Sequence, residues 1–227
     1  MYLQLKLSAV LVLFGPAPYQ NLLSGVLKPM RFCLLSFLFL SFLPLKAQSP
    51  FDTVDFAHPD ISLIESLVSE KVDSLRLCHG LNALRYDFVL NKAAEDHAFY
   101  LMARKELSHY QRFYKKQDVM QRLLYFGAKD LTLAGENLLW QHPARLLKWN
   151  KKKKKYIPRF FYTYDSLADS IVAAWVKSPS HYRNLIRPGY TTTAVAVAFD
   201  SRKKELTCVQ VFANTRLSGK KASAGIR

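Results

Sequence analysis

Residues 191–213 read TTTAVAVAFDSRKKELTCVQVFA. Both halves, 191–200 and 205–213, are rich in the β-branched residues that pack well on a pleated surface. The charged segment Ser201–Lys204 between them reads as a turn. The stretch therefore predicts an antiparallel hairpin at the centre of the domain. Upstream the period changes. Ile61, Ile64, Leu67, Val68, Val72 and Leu75 recur at helical spacing, with Asp60 or a Ser62/Glu65 box as the N-cap and Gly80 as the stop. A second helix is expected over about 88–107, with Ala93, Ala94 and Ala98 small enough for another element to approach closely, and a third over about 117–126. A fourth is expected to be capped by Asp165, or by a Ser166/Asp169 box, and carries Leu167, Ala168, Ile171, Val172 and Trp175. Ser178-Pro179 breaks it, and a brief helical turn follows to Ile186. Helices followed by a terminal hairpin predict an α/β layered domain, with helices covering a small sheet.

The chain before this domain looks like an export signal. Met30 and Arg31 lead into the short apolar run 32–45, which ends at Lys46-Ala47-Gln48. A basic start, a short apolar run and a small residue before a polar stretch make a secretory signal; the run is too short for a comfortable transmembrane helix. Cleavage is expected after Ala47, with Gln48 as the neighbouring option. Residues 1–29 then read as an upstream overhang, 30–47 as the signal, 48–60 as a leader, 61–213 as the domain and 214–227 as a basic tail. Export places the protein in a periplasmic or extracellular setting.

The 227-residue chain has a formal charge of +16. Residues 1–47 hold four basic residues and no acids, so the exported part carries +12. Such a charge favours anionic partners; export removes nucleic acid from them and leaves an anionic envelope lipid or glycan, or an extracellular protein. Residues 141–164 hold five successive lysines, Lys151–Lys155, together with prolines and aromatics. They read as a basic, partly disordered surface insertion, because adjacent lysines repel and resist burial. Two cysteines remain after cleavage, Cys78 and Cys208; export permits a bridge between them and equally allows two free thiols. A monomer is expected.

Among the six histidines, His58 and His142 precede prolines in loop-like sequence, and His79 ends a helix. His97 lies on an apolar helical stripe, as a core histidine would. His109 and His181 sit at helix breaks, and Glu136 lies between Gly135 and Asn137. Two imidazoles and a carboxylate can bind Zn2+ with an open fourth position. They can equally supply a base and its orienting acid.

The ordered set of Leu81-Asn82-Ala83-Leu84, Ala93-Ala94 with His97-Ala98, Ser108-His109, Gly135-Glu136-Asn137, Trp175 with Ser178–Ile186, and Val209–Phe212 resembles the CAP superfamily, or SCP (cysteine-rich secretory protein) family, in its bacterial form. The resemblance runs from about Ile61 to Phe212. It implies an α-β-α sandwich with a central antiparallel sheet, and a cleft lined by His109, Glu136 and His181 that in some members binds Zn2+ or another divalent cation. Ser178 stands where many eukaryotic members place a second Glu, and Ala194-Val195-Ala196 where a strand often reads Gly-Val-Gly. The resemblance implies a secreted binding or interaction module. The alternative is a metal-dependent or histidine-assisted hydrolase, such as a peptidase, with the same three residues in catalytic roles.

Overall fold

The hairpin forms as expected. In the computed structural model, which describes residues 48–215, β5 (Thr192–Asp200) and β6 (Glu205–Thr215) pair antiparallel from Thr192↔Ala213 to Asp200↔Glu205. On the other side of β6 lies β2 (Leu131–Gln141), also antiparallel. The two-residue β1 (Arg85–Tyr86) pairs parallel with the start of β5, so the four-stranded sheet, ordered β1-β5-β6-β2, is mixed and not purely antiparallel. Helices α1 (Ile61–Cys78), α2 (Phe88–Arg104), α3 (Val119–Tyr125), α4 (Tyr164–Lys177) and α5 (Pro179–Leu185) surround it.

The alternation along β5 sorts these helices into two layers. Val195 and Val197, with Leu206, Cys208 and Phe212 of β6, pack against Ile64, Val68 and Val72 of α1 and Leu167, Ile171 and Trp175 of α4. Ala194, Ala196 and Ala198 face the other way, onto Ala93, Ala94 and Ala98 of α2 and Leu123 of α3. Alanine meets alanine there, so α2 can lie close to the strand with little volume between them. The result is the α-β-α sandwich expected from the resemblance.

Local chemistry sets the boundaries. Asp60 caps α1, accepting from the Leu63 amide at 3.0 Å, while the Ser62 hydroxyl donates to Asp60 itself. Gly80 leaves the helix at φ +69°, a conformation that glycine adopts without steric cost. Helix α4 is capped by Thr163 in a box with Ser166. The expected cap, Asp165, instead receives Lys71 from α1 at 2.7 Å; a hydroxyl one step outside the helix is better placed than a carboxylate inside its first turn. Helix α5 starts on Pro179, where a missing N–H costs nothing.

A further expectation is revised and two are sharpened. Residues 144–161 form a hairpin, with β3 (Ala144–Asn150) and β4 (Lys155–Phe161) antiparallel, so the basic insertion is ordered backbone and not a partly disordered loop. Four of the five lysines, Lys151–Lys154, form the turn and Lys155 begins β4; solvent relieves their repulsion, since all five are exposed, and Lys154 adopts φ +47°. The leader is attached to the domain: the Val54 amide donates to the Tyr162 carbonyl at 3.0 Å and the Tyr164 amide to the Asp52 carbonyl at 3.1 Å. Cys78 is exposed and Cys208 lies inside the core, and both are free thiols. The overhang 1–29, the signal 30–47 and the tail from 216 onward lie outside the described residues. No helix among the described residues is long and apolar enough to cross a membrane.

Beyond Thr193 no strand pairs with the outer edge of β5 among the described residues. Glu65 of α1 reaches across and accepts the Val197 amide at 2.9 Å.

Candidate functional site

Strand β2 delivers Glu136 to the layer of α2 and α3, and its neighbour Asn137 to the opposite face. Glu136 is buried at 5% exposure. A carboxylate so placed needs partners, and it has them on both oxygens. Oε1 receives Nη2 of the fully buried Arg122 from α3 at 2.5 Å. Oε2 lies 2.9 Å from Nδ1 of His109, on the segment after α2, and 3.5 Å from Nε2 of His97. Arg122 also donates through Nη1 to the carbonyls of His109 at 3.2 Å and Lys116 at 3.3 Å. One guanidinium therefore fixes both the acid and the main chain that carries the histidine.

His97 is fully buried on α2. Its Nε2 donates to the Ser108 carbonyl at 3.0 Å, and Nδ1 accepts from the Gln111 amide nitrogen at 3.1 Å. Those partners fit a neutral ring, and burial depresses its pKa to about 4 against the opposing pull of Glu136. His97 is a core histidine, as the sequence suggests, and also a wall of the Glu136 pocket.

His109 is half-exposed, its side chain 52% accessible. With Nδ1 tied to the carboxylate, Nε2 is the nitrogen left for solvent or a ligand, a tautomer set by its partner. His181 stands on the first turns of α5. Burial lowers its pKa, and the charge of His109 acts in the same direction, so the two imidazoles share one field. The α5 turn is held to β2 from below. Asn137 donates to the His181 carbonyl at 3.2 Å, and Asn184 donates to the Glu136 carbonyl at 3.2 Å and to Asn137 Oδ1 at 2.9 Å.

The structure thus brings Glu136 directly onto His109, while His181 stands on α5, tied through its carbonyl to Asn137 of β2. Both Glu136 oxygens have partners inside the protein, Oε1 from Arg122 and Oε2 from His109. The hydroxyl of Ser178, at the position of the family's second acid, pairs with the Ser180 hydroxyl at 3.2 Å. Among the described residues no group of three or more His, Cys, Asp or Glu is arranged to hold a metal. Sequence reasoning did not single out Arg122 or Gln111. The available signal was weak: an arginine beside Leu123 on a short helix, the kind of position more often solvated than buried.

Acidification gives a direct test of His97. A histidine with a lowered folded pKa contributes stability above its unfolded value, near 6.5, and loses it as pH falls toward 4. Glu65 works in the opposite direction. Burial raises its carboxyl from 4.5 to about 7, so its folded form gains as pH falls through that interval. In a Glu65→Gln background, urea denaturation should show stability falling between pH 6.5 and 4. Adding His97→Gln should flatten that slope; an unchanged slope would assign the acid loss elsewhere.

The family model of the cysteine-rich secretory protein family, CAP, matches residues 70–212. No curated protein matches the chain. Among solved structures, an outer surface protein from Borrelia burgdorferi is similar with a TM-score of 0.52 and 18% identity, over 73% of this chain and 98% of that one. An extracellular protein containing a SCP domain from Bacillus anthracis is similar with a TM-score of 0.50 and 20% identity, over 68% of this chain and 41% of that one. At these identities the likeness is one of fold.

Proposed function

Because the chain belongs to the cysteine-rich secretory protein (CAP) family, we propose that it is an exported binding module that holds its ligand between His109 and His181 and offers its basic surface to an anionic partner. The observation that carries this reading is the engagement of Glu136. Arg122 neutralises it and His109 occupies its other oxygen, so it orients an imidazole and is not left to shuttle protons. A divalent cation such as Zn2+ would be held by His109 Nε2 and the His181 imidazole, with Glu136 fixing the ring as carboxylates do behind metal-bound histidines. Bound there, it would supply a Lewis acid for an oxygen ligand.

The hydrolase alternative has less support. The hydroxyl of Ser108 accepts the Tyr110 amide and that of Ser180 pairs with Ser178, so both serines beside the histidines are engaged in local turns. The exposed lysine turn of the β3–β4 hairpin supports an anionic envelope lipid or glycan as partner over an extracellular protein. The outer-surface and extracellular locations of the similar structures favour the same compartment.

One binding study tests both parts. In equilibrium dialysis the protein should take up Zn2+, and His109→Ala and His181→Ala should each weaken uptake about tenfold or more, with His58→Ala unaffected. Sedimentation with anionic vesicles should be salt-sensitive and drop when Lys151, Lys152 and Lys153 are changed to Ser. Zinc binding that survives His109→Ala would reject the cleft; vesicle binding that survives the lysine changes would reject the turn.

A further inference from the structure

Two arginines are buried among the described residues, and they differ in one respect. Arg122 meets a carboxylate. Arg76, at the end of α1 and 1% exposed, meets only main-chain carbonyls. Its Nε donates to Asn82 at 3.0 Å, and its Nη1 to Leu185 at 2.8 Å and to Arg187 at 3.2 Å. These bonds staple α1 to the 80–84 turn and to the C-terminal end of α5, and they leave Nη2 without a hydrogen-bond partner among the described residues. Burial lowers the Arg76 pKa, opposed by the charge of Asp73. Asp73 is itself turned to the Leu84 amide, at 2.9 Å, and forms no ion pair with the guanidinium among the described residues.

A cavity of about 340 Å3 opens beside this group, lined by Arg76, Leu81, Asn82, Ala83, Tyr190 and Thr191 among others. The Asn82 and Ala83 amides make no hydrogen bond with the described residues, and both residues line the cavity. A second cation stands close by: the Arg187 guanidinium lies 5.6 Å from the centre of the Tyr190 ring. A buried cation neutralised only by carbonyl dipoles, beside main-chain donors and open space, is the chemistry of an oxyanion receptor.

We propose that this cavity binds a small oxyanion, a carboxylate or phosphate group, through Arg76 and the amides of residues 82–83, with Arg187, beside the lining residue Tyr190, adding a second positive charge. The site stands apart from the histidine cleft, needs no metal, and does not depend on the function proposed above. The Arg76 staple accounts for the carbonyl bonds; the bound anion completes the neutralisation that the staple leaves unfinished.

The test is a titration of the 15N-labelled protein with inorganic phosphate and, separately, acetate, against chloride at matched ionic strength. Saturable shifts at the Asn82, Ala83 and Thr191 amides are expected with one or both oxyanions and not with chloride. Tighter binding of phosphate would assign a phosphoryl ligand; tighter binding of acetate, a carboxylate. Ala83→Glu, at an exposed position, places a competing carboxylate at the wall and should weaken binding by about tenfold or more through like-charge repulsion. Arg187→Glu, also at an exposed position, should weaken it in the same direction. Linear shifts, an equal response to chloride, or binding unchanged in both variants with their melting temperatures preserved would overturn the proposal.

Discussion

Arg122→Met should cost the fold about 3–5 kcal/mol, the range for stranding one member of a buried ion pair. The arginine is fully buried, and its removal leaves Glu136 Oε1 without its 2.5 Å partner. It also releases the carbonyls of His109 and Lys116. One feature pulls the figure toward the lower end: Arg122 Nε is itself buried without a hydrogen bond, an unsatisfied donor that methionine removes. Urea denaturation measures the loss. The double variant Arg122→Met/Glu136→Met should recover most of it, since an apolar pair of similar volume often replaces a buried ion pair at little cost. A single-variant loss below about 1 kcal/mol, the scale of an exposed pair, would mean that Glu136 reaches water. His109 should then lose its fixed orientation as well, and zinc uptake would reveal that in parallel.

Gly135→Ala should be nearly as damaging for a different reason. A Cβ at this position would lie 2.0 Å from Tyr190 Oη, 2.9 Å from its Cζ and 3.2 Å from Asn184 Oδ1. Tyr190 has little freedom to withdraw: it is 3% exposed and stacked on Phe212 with centroids 5.1 Å apart. Overpacking of this kind costs about 1–3 kcal/mol, sometimes more. The displacement would also reach Asn184, which holds the Glu136 carbonyl, so the cleft should be disturbed along with stability. Thermal unfolding of Gly135→Ala, Tyr190→Phe and the double variant forms the cycle. Removing the hydroxyl relieves the shortest contact and leaves the ring contact, so partial recovery is expected; full additivity of the two changes would show that the residues do not meet.

This contact explains why the segment Gly135-Glu136-Asn137 can be recognised without being understood from sequence. The glycine clears the Tyr190 ring from one face of β2. The glutamate turns to the α2–α3 layer, and the asparagine ties the strand to α5. None of those partners is near in sequence; Tyr190 is more than fifty residues away. The central hairpin was legible because β-branched residues cluster on either side of a charged turn. The long helices were legible because each has an uninterrupted apolar stripe. Helix α4 was found but its cap misplaced, since Asp165 is a good cap by type and only geometry shows that Thr163 stands outside the first turn. The β3–β4 hairpin was missed because five lysines dominate the composition of its segment, although four of them form only its turn. The candidate site was half legible: the polar residues could be singled out by context, but the buried arginine that fixes Glu136 looked like surface.

The reach of Glu65 to the Val197 amide bears on how the protein keeps company with copies of itself. A strand rich in alanine and valine, with no proline or lysine within it and one edge unpaired beyond its first residues among those described, is a template for adding a foreign strand. Most sheets discourage this with residues in the strand. Here the discouragement comes from a helix: a carboxylate already occupies a donor in the middle of the edge that an invading strand would need. The composition of β5 is thereby free to serve the core, while a donor on its open edge is occupied by a residue more than 120 positions away in the chain.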